Sequence, residues 1–116
     1  MQLPLQITFR NIDTSEAVEA KIRERAAELD QFYDRITGCR VTIEAATRKR
    51  HKGRLYNVRV DLKVPSREIV INHSSDDDHS HEDIYVAVRD AFDAARRQLQ
   101  DHVRLSRGDV KTHDAP

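Results

Sequence analysis

The segment Tyr56-Asn57-Val58-Arg59-Val60-Asp61-Leu62-Lys63-Val64-Pro65 decides the architecture. Tyr56, Val58, Val60, Leu62 and Val64 alternate with Asn57, Arg59, Asp61 and Lys63. Successive side chains of a strand point to opposite faces, so this spacing predicts a strand with one dry face and one wet face. A sheet built this way needs apolar cover on one side only.

Neighbouring segments extend the sheet. Pro65-Ser66-Arg67 has turn chemistry, and Glu68 to His73, with Ile69 and Ile71, predicts a strand returning alongside. Upstream, Val41, Ile43 and Ala45 alternate in the same way after Gly38 breaks the chain. Leu3, Leu5, Ile7 and Phe9 form a first strand, which Pro4 places at a strand end or a sheet edge. Val18, Ile22, Ala26, Leu29 and Tyr33 recur at helical spacing and predict a helix over 15–33. Asp13-Thr14-Ser15-Glu16 supplies its start, where an Asp or Thr oxygen can accept from the free N–H groups of the first turn. Tight turns make the last three strands antiparallel neighbours, whereas a crossover through a helix allows the first two to run parallel.

The last helix begins near His81-Glu82-Asp83-Ile84-Tyr85 and runs on through Arg97-Gln98-Leu99. At about 100° per residue, Ile84, Val88, Ala91, Phe92, Ala95 and Leu99 converge on one side. Arg89, Arg96 and Arg107 line a neighbouring flank, with Arg97 and Arg104 on the far side. The order is therefore β-α-β-β-β-α, an α+β fold with a four-stranded sheet and two helices packed on one face. A single domain is expected over 1–105. Periodicity is lost after Leu105, so 106–116 is expected to be a loose tail.

With 116 residues the chain can bury one modest core, and 38% apolar against 34% charged residues makes that core thin. No apolar run approaches the roughly 20 residues that span a bilayer, and Met1-Gln2-Leu3-Pro4 lacks the basic and apolar regions of a signal peptide. Cys39 is the sole cysteine, which excludes an intrachain disulfide and suits a reducing cytoplasm. The formal net charge is zero, yet residues 73–83 hold Asp76, Asp77, Asp78, Glu82 and Asp83 with no Lys or Arg. The remainder carries 20 basic and 15 acidic residues, a net of +5. Neutrality thus reflects one acidic loop.

Two features suit a polyanion. Arg89, Arg96, Arg97 and Arg104 offer guanidinium forks that match phosphate oxygens bidentately. The plain alternative is a solvated face, in which Asp93 and Arg97 form an ordinary i,i+4 pair. The second feature, Arg48-Lys49-Arg50-His51-Lys52-Gly53-Arg54, sets five positive charges in a loop between two strands. Lys49, Arg50, Lys52 and Arg54 could clamp phosphates there; otherwise the loop is a solubilising hairpin tip.

Three ordered segments carry a family resemblance. They are Thr14-Ser15-Glu16-Ala17 leading through Leu29 to Phe32-Tyr33-Asp34-Arg35-Ile36, then Tyr56 to Pro65, then His81-Glu82-Asp83-Ile84-Tyr85-Val86-Ala87-Val88 with Arg97-Gln98-Leu99 downstream. The set resembles the short ribosome hibernation promoting factors, also called ribosome-associated inhibitor or sigma-54 modulation-type proteins. The resemblance implies a domain similar in outline to double-stranded RNA-binding domains. It also implies a cytoplasmic protein that binds the small ribosomal subunit near the decoding centre, contacts its rRNA, stops translation by occlusion and protects idle ribosomes. The chain looks like a short form without the extra C-terminal domain that pairs two ribosomes, and a monomer off the ribosome is expected.

Other readings compete. No nucleophile motif, paired-carboxylate arrangement or phosphate-binding glycine loop stands out, so an enzyme, a cofactor or a small-molecule substrate is not expected. His73, His79 and His81 lie among aspartates, but their spacing fits no closed metal site, and no metal is expected. A metal-responsive sensor using His79 and His81 would have to bind zinc stoichiometrically. A protein-interaction module would bind RNA with weak salt dependence. Tyr85 reads as a core-rim residue with its hydroxyl at the surface, Tyr56 and Phe92 as core, and Cys39 as packing. The acidic loop opposes RNA at the helix that follows it, and its histidines gain charge as pH falls toward about 6. RNA affinity should therefore rise on mild acidification at constant ionic strength. Equal affinities at about pH 7.5 and about pH 6 would remove this effect.

Overall fold

The computed structural model describes residues 4–46, 55–74 and 84–114. Its elements are β1 (Leu5–Arg10), α1 (Glu16–Phe32), β2 (Gly38–Ala46), β3 (Leu55–Val64), β4 (Arg67–Ser74) and α2 (Ile84–Asp114). The sheet order is β1-β2-β3-β4, so the β-α-β-β-β-α expectation is met. β1 runs parallel to β2, and the two hairpin pairs are antiparallel. α2 lies over β3 and β4, while α1 packs against α2 and β1.

Register explains which face is dry. Cys39 lies opposite Leu62, Val41 opposite Val60 and Ile43 opposite Val58. On the far side Val60 meets Ile71 and Leu62 meets Ile69. These residues are buried together with Val18, Ile22, Ala26 and Leu29 of α1 and with Ala87, Val88, Ala91, Phe92, Ala95 and Leu99 of α2. Fully burying a Val, Leu or Ile side chain stabilises by about 1.5–3 kcal/mol, so this shared cluster is what holds the layers together. Leu5, Ile7, Phe9, Tyr33 and Tyr56 are partly buried against it. β1 is the edge that Pro4 announces, and the Cys39 amide donates to the Pro4 carbonyl at 2.9 Å.

Local chemistry departs from expectation at several points. The α1 cap is Ser15, not Asp13 or Thr14: its Oγ accepts from the Val18 amide at 3.3 Å and its carbonyl from the Glu19 amide at 2.9 Å. Gly38 does not separate elements but is the first residue of β2, opposite Lys63. Asp61 lies on the wet face as expected, yet it is only 9% exposed. Arg59 Nε donates to its two carboxylate oxygens at 3.2 and 3.3 Å, and Arg40 and Val70 flank it in register.

The largest departure is at the C-terminal end. A loose tail was expected after Leu105, but the helical backbone continues to Asp114. Extending a helix adds one hydrogen bond per residue fixed and needs no new nucleus. No proline interrupts 84–114, and the first one met is Pro116.

Two outcomes follow from this packing. Burial, aided by the nearby Asp61 charge, pushes the Cys39 thiol up from 9.0 to about 12. The folded chain therefore keeps this proton after an unfolded chain would lose it, and the thiol's contribution to stability is lost as pH rises from 9.0 to about 12. At neutral pH a thiol reagent should label Cys39 only on unfolding; labelling at the rate of a free thiol in native buffer would contradict its burial. Ser66 follows Pro65 with φ 76, at the turn position that favours glycine. Ser66→Gly should raise the denaturation midpoint, by about 1 kcal/mol of stability. A lower midpoint would show that the serine side chain is needed.

Candidate nucleic-acid interface

Three polar surfaces are available to a partner, and charge pairing separates them. The outer side of α1 is largely self-neutralised. Lys21 pairs with Glu24 at 3.4 Å, Arg25 with Glu28 at 3.4 Å, and Arg23 with Glu19 at 4.0 Å. The open face of the sheet mixes signs. It carries Arg10, Arg40, Arg59 and Lys63 among Glu44, Asp61 and Glu68, with Arg10 opposite Glu44, Arg40 opposite Asp61 and Lys63 opposite Glu68 in register. A groove of about 550 Å³ at its lower end is lined by Gln6, Cys39, Arg40, Asp61, Lys63 and Glu68. That is a mixed-charge surface without an excess of either sign.

The outer side of α2 differs. Its apolar stripe is locked into the core, so the opposite face is held rigidly toward solvent. Arg97 and Arg104 stand exposed on it, and Arg89 and Arg96 stand exposed on the flank beside it. Arg89 donates to Asp90 from Nη2 at 3.1 Å and from Nε at 3.2 Å. Arg104 Nη2 donates to Asp101 at 2.6 Å. Exposed pairs of this kind are worth at most about 1 kcal/mol, so a phosphate can displace either aspartate.

Arg96 and Arg97 are the ones without a carboxylate among the described residues. The expected Asp93–Arg97 pair is not formed, and Arg97 makes no ion pair or hydrogen bond to a described residue. Arg96 instead reaches across to α1, where its guanidinium carbon lies 5.3 Å from the centroid of the Phe32 ring. Such a contact stabilises by about 0.5–1 kcal/mol at an exposed site and leaves the N–H edge of the guanidinium to solvent.

α2 also holds a residue that the sequence reading missed. His102 is buried, with its ring edge-on to Tyr33 at 6.0 Å between centroids. Its place three residues beyond Leu99 continues the apolar stripe, and that signal was available. Phe32 had no comparable signal, because its exposure depends on how α1 ends. Tyr33 caps the helix, donating its amide to the Leu29 carbonyl at 2.9 Å, and turns partly into the core while Phe32 stays out. Tyr85 is exposed at the rim, as expected, and Phe92 is core. Of the other candidates, Lys49, Arg50, Lys52 and Arg54 lie outside the described residues, as do His79 and His81. No cluster of three metal-ligating side chains occurs among the described residues. No described helix is long and apolar enough to cross a membrane.

These features define a class: a helix-backed sheet whose exposed arginines stand on a rigid helix. Residues 5–106 match the family described as sigma 54 modulation protein / S30EA ribosomal protein, and the chain belongs to that family. It is 33% identical over 95 residues to a ribosome hibernation promotion factor of Deinococcus radiodurans, covering 82% of this chain and 46% of that protein. The chain thus spans about half the length of that relative. A ribosome hibernation promoting factor of Azotobacter vinelandii is 28% identical over 102 residues, covering 86% of this chain and 82% of the relative. Among solved structures, a ribosomal subunit interface protein from Coxiella burnetii has the same fold, with a TM-score of 0.70 at 19% identity over 88% of this chain and 99% of that one. The N-terminal domain of Thermus thermophilus Protein Y shares it too, at TM-score 0.63 and 15% identity, covering 88% of this chain and 99% of that one.

Proposed function

We infer that this chain is a translation inhibitor that binds the small ribosomal subunit near the decoding centre through rRNA phosphates. By occupying that space it blocks translation and stabilises idle ribosomes in the cytoplasm. The observation that carries the reading is the exposure of Arg96 and Arg97, without carboxylate partners among the described residues, on a helix whose other face is sealed into the core. Membership of the family supports the same partner.

Each arginine has a part in this reading. Arg96 and Arg97 take phosphates first, because no aspartate has to be displaced. Arg89 and Arg104 follow by exchanging Asp90 and Asp101 for phosphate oxygens. Lys49, Arg50, Lys52 and Arg54, in the sequence between β2 and β3, supply a second set of positive charges for phosphates. These contacts orient the domain on the subunit, and they read RNA shape and charge, not base sequence. The chemistry is electrostatic and positional, with no bond made or broken.

Sedimentation through sucrose with purified small subunits, at two salt concentrations, tests the assignment. Binding should weaken steeply with salt, the logarithmic slope losing about 0.7–0.9 for each phosphate contact removed. Charge reversal at Arg89, Arg96 and Arg97 together should abolish cosedimentation while the circular dichroism of the fold is kept. A folded triple variant that still cosediments at physiological salt would place the interface elsewhere.

A further inference from the structure

The contact between Arg96 and Phe32 has a use beyond phosphate binding. Phe32 is the last residue of α1 and is 38% exposed. A single exposed apolar residue is ordinary on a protein surface. Three further observations set this one apart. Its exposed ring carries the guanidinium of Arg96, a cation supplied by the other helix. The helical step puts Arg96 on one flank of α2 with Arg89 and, at the far end, Tyr85. Tyr85 is itself 40% exposed. The flank of α2 therefore runs from the exposed Tyr85 past Arg89 to Arg96, a rise of about 16 Å, and ends where Arg96 meets the exposed Phe32.

Rings interleaved with cations are the pattern by which proteins hold single-stranded nucleic acid. The rings accept unstacked bases, and the cations follow the backbone between them. Phosphate contact alone calls for no aromatic at all. We propose that the Phe32–Arg96 pair is a stacking platform that takes one unpaired base of RNA. The inference rests on the RNA-binding reading above and deepens it. Phosphates are held along α2, and at the end of α1 a flipped-out base covers the apolar surface that the fold leaves open. The contact with Phe32 orients Arg96 beforehand, so less side-chain freedom is lost when the base arrives.

The sequence contains no tryptophan, so Phe32→Trp places a single fluorescent reporter on the platform. The variant is titrated with small ribosomal subunits, with oligoadenylate, and with inorganic polyphosphate, which offers charge without bases. Quenching by subunits and oligoadenylate, with little change on polyphosphate, is the expected result. In parallel, Phe32→Leu should weaken subunit binding about tenfold with an unchanged salt slope, whereas Arg96→Gln should lower the slope by about 0.7–0.9. Two results would reduce the pair to a strut between helices and overturn the proposal. One is a Phe32→Leu chain that binds as tightly as the parent; the other is an indole signal from the Phe32→Trp chain that responds equally to polyphosphate. The two readings fail separately. Quenching by oligoadenylate from a chain that does not bind subunits keeps the platform and removes the ribosome. Subunit binding with no quenching does the reverse.

Discussion

Everything on the outer surface depends on one seal, the apolar stripe of α2 against the inward rows of β3 and β4. Ala87, Ala91 and Ala95 recur every four residues along that stripe and are fully buried. Their small side chains let the helix lie close to the sheet, while Val88, Phe92 and Leu99 fill the space alongside. Val58, Val60, Leu62 and Ile69 meet them from below, all with 1% exposure or less. Close packing of this kind fixes the rotation of α2 about its own axis. The direction in which each arginine points follows from that rotation.

A helix anchored in this way separates the residues that stabilise the fold from those that carry charge. The core-facing residues contribute the burial, and the outward residues are free to carry charge at little cost to the fold. The chain then varies how available each charge is. On α1 the cations are paired within the helix, while on α2 Arg96 and Arg97 have no carboxylate partner among the described residues. That contrast, more than the number of basic residues, separates α2 from α1, because Asp90, Asp93 and Asp101 share its surface and the chain as a whole is neutral.

The element order, the antiparallel hairpins and the parallel first pair were all legible, because strand and helix periods differ and the turns are short. The β3 alternation was the clearest case, and its register agrees residue by residue with the dry face. Where reading failed, a long-range contact or a local competition had decided the outcome. Ser15 caps α1 ahead of two other capable residues nearby. Asp61 is nearly buried on a wet face because Arg59 folds over it. The helix passes Leu105 because propagation requires no apolar face, so the loss of periodicity did not mark its end.

By itself the sequence determined the fold class, the buried face of each element and the four arginines of α2, since these follow from side-chain period and composition. Which of those arginines lack a carboxylate partner among the described residues was decided only in three dimensions. Asp93 stands one helical turn before Arg97 in the sequence, yet the side chains do not meet, while Arg89 folds back on its immediate neighbour. The pairing of Phe32 with Arg96 joins two helices far apart in the chain. It exists because α1 ends where α2 crosses it, a distance that only the packed core sets.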